Sequence, residues 1–99
     1  MARHDVFAHP GGDGYLLDVQ ADLLDILATR IVVPLLPISI GPKPAHRLNP
    51  VFRIGDIEVV MVTQFLSAVP VSALGERRSS LAEEHDRIVA ALDMAFQGF

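Results

Sequence analysis

Apolar and polar residues alternate with a period of two through much of the first half of the chain, which is the pattern of half-buried β-strands. Residues 5–9 fit a first strand, and the proline and glycines of 10–14 fit a turn. The chain returns over residues 15–22 as the second half of a hairpin. The residues expected on its apolar face alternate with polar ones: Leu17, Val19 and Ala21.

The run "RIVVPLLPI", residues 30–38, is rich in β-branched and aliphatic residues. Pro34 and Pro37 cannot donate to a strand ladder, so we expect this segment at a sheet edge or at a bulge. Residues 41–50 contain three of the seven prolines and are predicted to be a loop.

The clearest hairpin covers residues 51–63, where Gly55 and Asp56 separate two β-branched runs and suit a tight turn with a positive φ. Residues 66–75 follow as another extended strand, which Pro70 interrupts. The first three quarters of the chain therefore predict a β-rich domain.

The last segment changes period and predicts a helix over residues 80–97. Ser80 and Glu83 have the spacing of a capping box, and Gly98 is a natural helix stop. One helical face carries residues at three- and four-residue steps, which we expect to pack on the core: Leu81, His85, Ile88, Leu92, Ala95 and Phe96.

Composition limits what such a domain can do. The 99 residues are enough for one domain, which we place at 1–99, and 51% of them are apolar, so a dimer would help to cover the surplus apolar surface. The net charge of −4, with Arg77-Arg78 as the only local basic pair, argues against direct binding of DNA or RNA.

Targeting signals are not evident. The first ten residues contain no long apolar stretch, so we expect no signal peptide, and the apolar run over 31–40 is too short to cross a bilayer. We therefore expect a cytoplasmic protein without a membrane contact.

Candidate catalytic or metal-binding groups are few. The chain has no cysteine, its four histidines show no metal-binding spacing, and no serine lies in a nucleophile-elbow context. We predict no catalytic residue, no metal and no cofactor. His85, on the apolar helix face, is interpreted as a packed histidine.

The segment "DLLD", residues 22–25, leaves two interpretations open. Asp22 and Asp25 could act as general acid and base, but such a pair more often flanks a solvated turn. Leu23 and Leu24 between them cannot easily both be buried in one helical turn or an irregular loop, so they indicate an apolar interface. The chain as a whole therefore favours a protein that acts by binding another protein.

Five collinear stretches make the sequence similar to the CcdB family of bacterial toxins. No single stretch is specific, but their order, the chain length and the last residues together are. The matching stretches are "LDVQADLLD" (17–25), "RIVVPL" (30–35), "PVFRIGD" (50–56), "SAVPVSALGE" (67–76) and the end of the helix, "MAFQGF" (94–99).

The resemblance implies a mainly β (α+β) fold: an SH3-like antiparallel β-barrel or sheet with a small additional sheet and a C-terminal α-helix, assembled as a homodimer. It also implies the toxin of a type II toxin–antitoxin module, of the kind that maintains plasmids. Such a toxin binds the DNA gyrase A subunit and traps the complex of gyrase with cleaved DNA. A CcdA-like antitoxin neutralises it, and the two together repress their operon, with operator DNA contacted only through the antitoxin.

The resemblance also implies a gyrase-binding site in two parts. Leu23 and Leu24 stand where the family has two isoleucines, and the C-terminal pattern Phe-Trp-Gly-Ile becomes Phe-Gln-Gly-Phe here. Asp93 stands where the family has an asparagine. The expected site residues are Leu23, Leu24, Asp93, Gln97, Gly98 and Phe99.

Two alternatives remain open at the level of sequence. Gln97 and Asp93 fit a family member that has lost or changed its gyrase target and serves as an antitoxin-binding or regulatory module. A ribonuclease of the MazF/PemK type would share the general fold, but its RNA groove would need positive charge that this acidic chain lacks.

Overall fold

Seven β-strands and a C-terminal helix make up the fold in the computed structural model, which describes residues 2–99. Short 3-10 turns connect several of them. The strands are β1 (Asp5–Ala8), β2 (Tyr15–Asp18), β3 (Thr29–Pro37), β4 (Val51–Ile54), β5 (Ile57–Met61), β6 (Ser67–Pro70) and β7 (Arg77–Ser80), and the helix is α1 (His85–Gln97).

All strand pairs are antiparallel, in the order β4-β5-β3-β2-β1-β7, with β6 attached to β3. The sheet curls into a half-barrel, and α1 packs on the core through Ile88 and Ala91. The expected mainly β fold with a C-terminal helix is confirmed. The extra strand β6 is continuous with the main sheet because it shares β3 with β5.

Strand β3 is the centre of the sheet, so the expected edge position is wrong. It pairs with β2 on one side and with β6 and then β5 on the other. The carbonyl of Pro34 accepts from Val62 N at 2.9 Å, on the side where β3 changes from β6 to β5. In an antiparallel strand the N–H and C=O of one residue point to the same neighbouring strand. The N–H that Pro34 lacks would therefore point to the place where β3 changes from β6 to β5. No strand-to-strand hydrogen bond is lost there, so a proline is tolerated inside the sheet.

The expected alternation on the second strand is also wrong. Strand β2 ends at Asp18, Ala21 is exposed, and both Asp18 and Gln20 are buried together with Leu17 and Val19. The two polar side chains are buried because each has hydrogen-bond partners within the fold, as described below.

The β4–β5 hairpin closes at Gly55-Asp56 as expected, with a φ of 59° at Gly55. Residues 41–50 contain no strand or helix. These predictions are confirmed. The strand expected over 66–75 is confirmed only for Ser67–Pro70, because a 3-10 turn follows at Val71–Ala73.

The helix begins at His85, later than expected, because Ser80 is the last residue of β7. Ser80 Oγ accepts from Ala82 N at 3.2 Å rather than capping a helix through Glu83. The stop at Gly98 is confirmed by its φ of 81°. Phe96, expected on the core, is exposed, because burial along α1 declines after Ala91 and every residue from 95 onwards is exposed.

His85 is exposed as well, and its ring lies beside that of buried His4, with 5.1 Å between the ring centroids. The expectation of a packed histidine fails for His85 and applies instead to His4. No helix within residues 2–99 is long and apolar enough to cross a membrane.

Candidate functional site

The segment between β2 and β3 presents apolar side chains to solvent. We call residues 21–28 the leucine loop. Leu23 and Ile26 are each 89% exposed, and Leu24 and Leu27 are about half exposed at 42% and 45%. Exposed apolar residues are common singly, but four within one short loop form a patch of the kind found at protein interfaces. The interpretation of Leu23 and Leu24 as solvent-facing is therefore confirmed.

Gln20 fixes the leucine loop at its base. Its amide nitrogen donates to the carbonyl of Leu24 at 2.9 Å, and its amide oxygen accepts from Ile31 N at 3.1 Å. Val19 N also donates to Ile31 O at 3.0 Å. One buried side chain thus links both ends of the loop, so the apolar residues are presented on a held backbone.

A buried ion pair lies beneath this base. Arg30 Nε donates to Asp18 Oδ2 at 2.9 Å, its Nη2 donates to the same oxygen, and Asp18 Oδ1 accepts from Gln20 N at 3.0 Å. Burial raises the pKa of Asp18, and the hydrogen bonds from Arg30 and Gln20 oppose that rise. The pair connects β2, β3 and the loop into one unit.

The acidic residues of the loop have local structural roles. Asp22 Oδ1 accepts from Arg3 N at 2.7 Å, and the carbonyl of Asp22 accepts from Asp25 N at 3.1 Å in the 3-10 turn Asp22–Leu24. Asp22 therefore ties the loop to the N-terminal segment, which supports the interpretation of a flanked turn over an acid–base pair.

The second expected part of the site is the end of α1. We call residues 93–99 the C-terminal tip. Phe96 and Phe99 are 71% and 70% exposed, Gln97 Nε2 lies 3.4 Å from Asp93 Oδ1, and Gly98 N donates to Met94 O at 3.1 Å. The tip therefore offers two aromatic rings around a polar pair.

Strand β6 lies between the two parts. A cavity of about 430 Å³ next to the tip is lined by residues that include Leu66, Met94 and Phe96, just before β6 begins. At the other end of β6, Val71 N donates to Ala28 O at 2.8 Å, at the end of the leucine loop. Four strand residues span about 13 Å, so the loop and the tip are separated by roughly the length of β6 rather than in contact.

Sequence analysis missed Ile26, Leu27 and Phe65, which add to the exposed apolar surface around these parts. The signal for Ile26 and Leu27 was present, because a second apolar pair directly follows Asp25. The sequence contains no pattern that indicates the role of Gln20, because that role depends on a contact with Ile31 that only the fold creates. Within residues 2–99 no group of three or more histidine, aspartate or glutamate side chains is placed to hold a metal ion.

Comparison with known proteins gives a family and a fold. A family model described as CcdB protein matches residues 3–98. An endoribonuclease from a mycobacterial species, in complex with its cognate antitoxin, has 16% sequence identity, a TM-score of 0.79 and coverage of 97% of this chain and 94% of its own. The Mycobacterium tuberculosis toxin MazF-mt6 has 15% identity, a TM-score of 0.74 and coverage of 93% and 95%. At these identities the two structures show a shared fold.

Proposed function

Because the chain belongs to the CcdB family, we propose that it is the toxin of a type II toxin–antitoxin module, formed by a single domain over residues 1–99. It acts by binding the DNA gyrase A subunit and trapping the gyrase–DNA cleavage complex, and not by catalysis. The leucine loop and the C-terminal tip form the contact surface.

The observation that carries the proposal is the exposure of the leucine loop on a fixed base. Leu23 is almost fully exposed, while Gln20 binds the backbone of Leu24 within the loop and of Ile31 beyond it. Burying such side chains in a partner gains about 25 cal/mol per Å² of apolar surface, and a held loop loses little entropy on binding.

The tip supplies the second contact. Phe99 and Phe96 are exposed aromatic side chains, a residue class enriched at the centres of interfaces. Gly98, with its φ of 81°, ends the helix immediately before Phe99. In the family pattern a tryptophan occupies the position of Gln97 and anchors the partner. In this chain Phe99, two residues further on, takes that anchoring role.

The proposal includes the partners of such a module. The protein forms a homodimer, and a CcdA-like antitoxin neutralises it; a structure of similar fold was solved with its cognate antitoxin. Toxin and antitoxin repress their operon together, with the antitoxin making the contacts to operator DNA. The place of action is the cytoplasm.

The test is growth of cells that express the protein without antitoxin, combined with capture of the host gyrase A subunit. Leu23→Asp is expected to abolish both growth arrest and capture. Ile40→Asp is the matched control, because Ile40 is also exposed but lies outside the loop and the tip, and it is expected to keep both. Equal arrest by Leu23→Asp and the unchanged protein would overturn the assigned surface.

Deletion of Gly98-Phe99 tests the tip separately. Both residues are exposed, so the fold and the dimer are expected to remain while toxicity is lost. Purified protein is expected to leave RNA intact, and RNA cleavage would contradict a binding mechanism.

A second function is favoured by the polar pair at the tip. Gln97 Nε2 lies 3.4 Å from Asp93 Oδ1. The family resemblance places a tryptophan and an asparagine at these two positions. This pair suits a CcdB-fold protein that has lost or changed its gyrase target and binds only the antitoxin. Survival of expressing cells, without accumulation of gyrase–DNA cleavage complexes, would select this function over the first.

A further inference from the structure

A cavity of about 340 Å³ lies between the loop of residues 41–50 and helix α1, and its lining residues belong to neither the leucine loop nor the tip. Its cationic lining consists of Arg47 from the loop and Arg87 from the helix, with His46 beside them. The rest of the lining is largely proline and alanine, including Pro44, Pro50 and Ala90. We call this cavity the basic pocket.

The loop wall of the basic pocket is fixed by Asn49, which is buried. Its Oδ1 accepts from Ala45 N at 3.1 Å, and its Nδ2 donates to Met61 O at 3.0 Å and to Gln64 Oε1 at 2.8 Å. A further backbone bond joins Asn49 N to Ala45 O at 3.0 Å. Residues 45–49 therefore form a closed turn anchored to the end of β5, so the pocket exists before a ligand arrives.

The helix wall is fixed by the contacts of Arg87. Its guanidinium carbon lies 4.7 Å from the centre of the Phe52 ring, and Nη2 donates to Val51 O at 2.9 Å. Nη1 lies 3.3 Å from Glu84 Oε1, an exposed pair of small energetic weight. These contacts leave the Nε–H and one hydrogen on each Nη, so a positioned guanidinium retains donors for an anion.

Arg47 has a φ of 66°, a left-handed backbone conformation that residues other than glycine seldom adopt. The turn held by Asn49 imposes this conformation and places an arginine at the pocket wall. Strained backbone positions of this kind are concentrated at ligand-binding sites.

We propose that the basic pocket binds a side-chain carboxylate of an acidic polypeptide segment, with an adjacent apolar side chain against the prolines. Two arginines in a preformed site suit a carboxylate, which guanidinium groups bind with charge-assisted hydrogen bonds. The proline and alanine lining offers apolar contact. A nucleic-acid strand would need a continued basic track, and the chain carries a net charge of −4. The proposed binding of a carboxylate in this pocket is independent of the proposed binding of gyrase by the leucine loop and the tip.

The test uses a short synthetic peptide of alternating glutamate and leucine, titrated into the full protein at low salt by NMR and calorimetry. Binding is expected to shift the amide signals of Ala45 and Ala90 and to weaken with added salt. Arg47→Gly is expected to weaken binding about tenfold, the loss of one charge-assisted hydrogen bond. Glycine suits the positive φ at this position, so the variant is expected to stay folded.

Arg53→Gln is the matched control, because Arg53 is an exposed arginine on neighbouring β4 and does not line the pocket. It is expected to leave peptide binding unchanged, and a peptide with glutamine in place of glutamate is expected not to bind. The proposal is overturned if Arg47→Gly binds the peptide as tightly as the unchanged protein. It is also overturned if a single-stranded RNA of equal charge binds more tightly than the peptide, or if the shifts appear at the tip instead.

Discussion

Arg30 and Asp18 form a deeply buried ion pair, with side-chain exposures of 1% and 0%. Arg30 donates from Nε and Nη2 to one carboxylate oxygen, and Gln20 N–H donates to the other. Because β2 carries Asp18 and β3 carries Arg30, the pair stabilises the sheet at the point where the leucine loop leaves it.

Removing one member of this pair should be far more costly than removing both. Arg30→Leu leaves the Asp18 carboxylate buried without its cation, which typically costs about 3–5 kcal/mol of unfolding free energy. Asp18→Leu combined with Arg30→Leu should recover much of that loss, because no uncompensated charge remains. Urea unfolding of the single and double variants at neutral pH measures both values, and equal stabilities would contradict a coupled pair.

Gln20→Ala is expected to loosen the leucine loop without unfolding the sheet. The substitution removes the acceptor of Ile31 N–H and the donor to the Leu24 carbonyl. Hydrogen exchange should therefore accelerate at the Ile31 amide, while the amides of the β4–β5 hairpin keep their protection. Gln64→Ala removes a different side-chain hydrogen bond, the one from Asn49 Nδ2, and serves as the control that should leave Ile31 protected.

His4 makes stability depend on pH. Burial lowers its pKa below the ordinary 6.5, with Arg3 and His85 acting in the same direction and Asp22 opposing them. Within residues 2–99, Nε2 of this buried ring has no hydrogen-bond partner. The folded state thus binds a proton less readily than the unfolded chain. Stability is fully present above pH 6.5 and falls as the pH drops from there towards the lower folded pKa.

His4→Asn is the variant that tests this titration. Asparagine tolerates the φ of 74° at this position and does not titrate, so the fall in thermal stability between neutral and mildly acidic pH should become shallower. His9→Asn, at a histidine outside this contact, should keep the original slope. An unchanged slope in His4→Asn would assign the pH dependence to other groups.

Gly98 is needed for its backbone conformation rather than for space. In the described part of the chain, residues 2–99, nothing lies within 4 Å of a Cβ built at Gly98 or at Gly75, and of these two glycines Gly98 alone has a positive φ, of 81°. Gly98→Ala is therefore expected to cost about 1 kcal/mol at the end of the helix, whereas Gly75→Ala should be close to neutral. Comparing the two melting temperatures, and the NMR signals of Phe99, separates backbone strain from side-chain crowding.

Local patterns were reliable wherever one interaction determined the structure. Gly55-Asp56 predicted a hairpin turn, and Gly98 predicted the helix stop, because a positive φ is a property of the residue itself. The burial of Asp18 and the central position of Pro34 depend on partners from β3 and β5, so alternation alone gave the wrong result. Phe96 has the helical period of a core residue but lies in the last turn of α1, where every residue is exposed from 95 onwards.

Gln97→Trp is expected to strengthen binding of the gyrase A subunit. Gln97 is exposed, and its contact with Asp93 is a 3.4 Å hydrogen bond at the surface, so the fold should tolerate the exchange. A buried tryptophan anchor is commonly worth at least about 2 kcal/mol at an interface, which corresponds to roughly 30-fold in Kd. The Kd from calorimetry with the purified subunit measures the gain.

Glu76→Trp, at an exposed position outside the loop and the tip, controls for nonspecific adhesion of an added tryptophan. Equal gains from the two variants would remove the tip from the proposed contact surface.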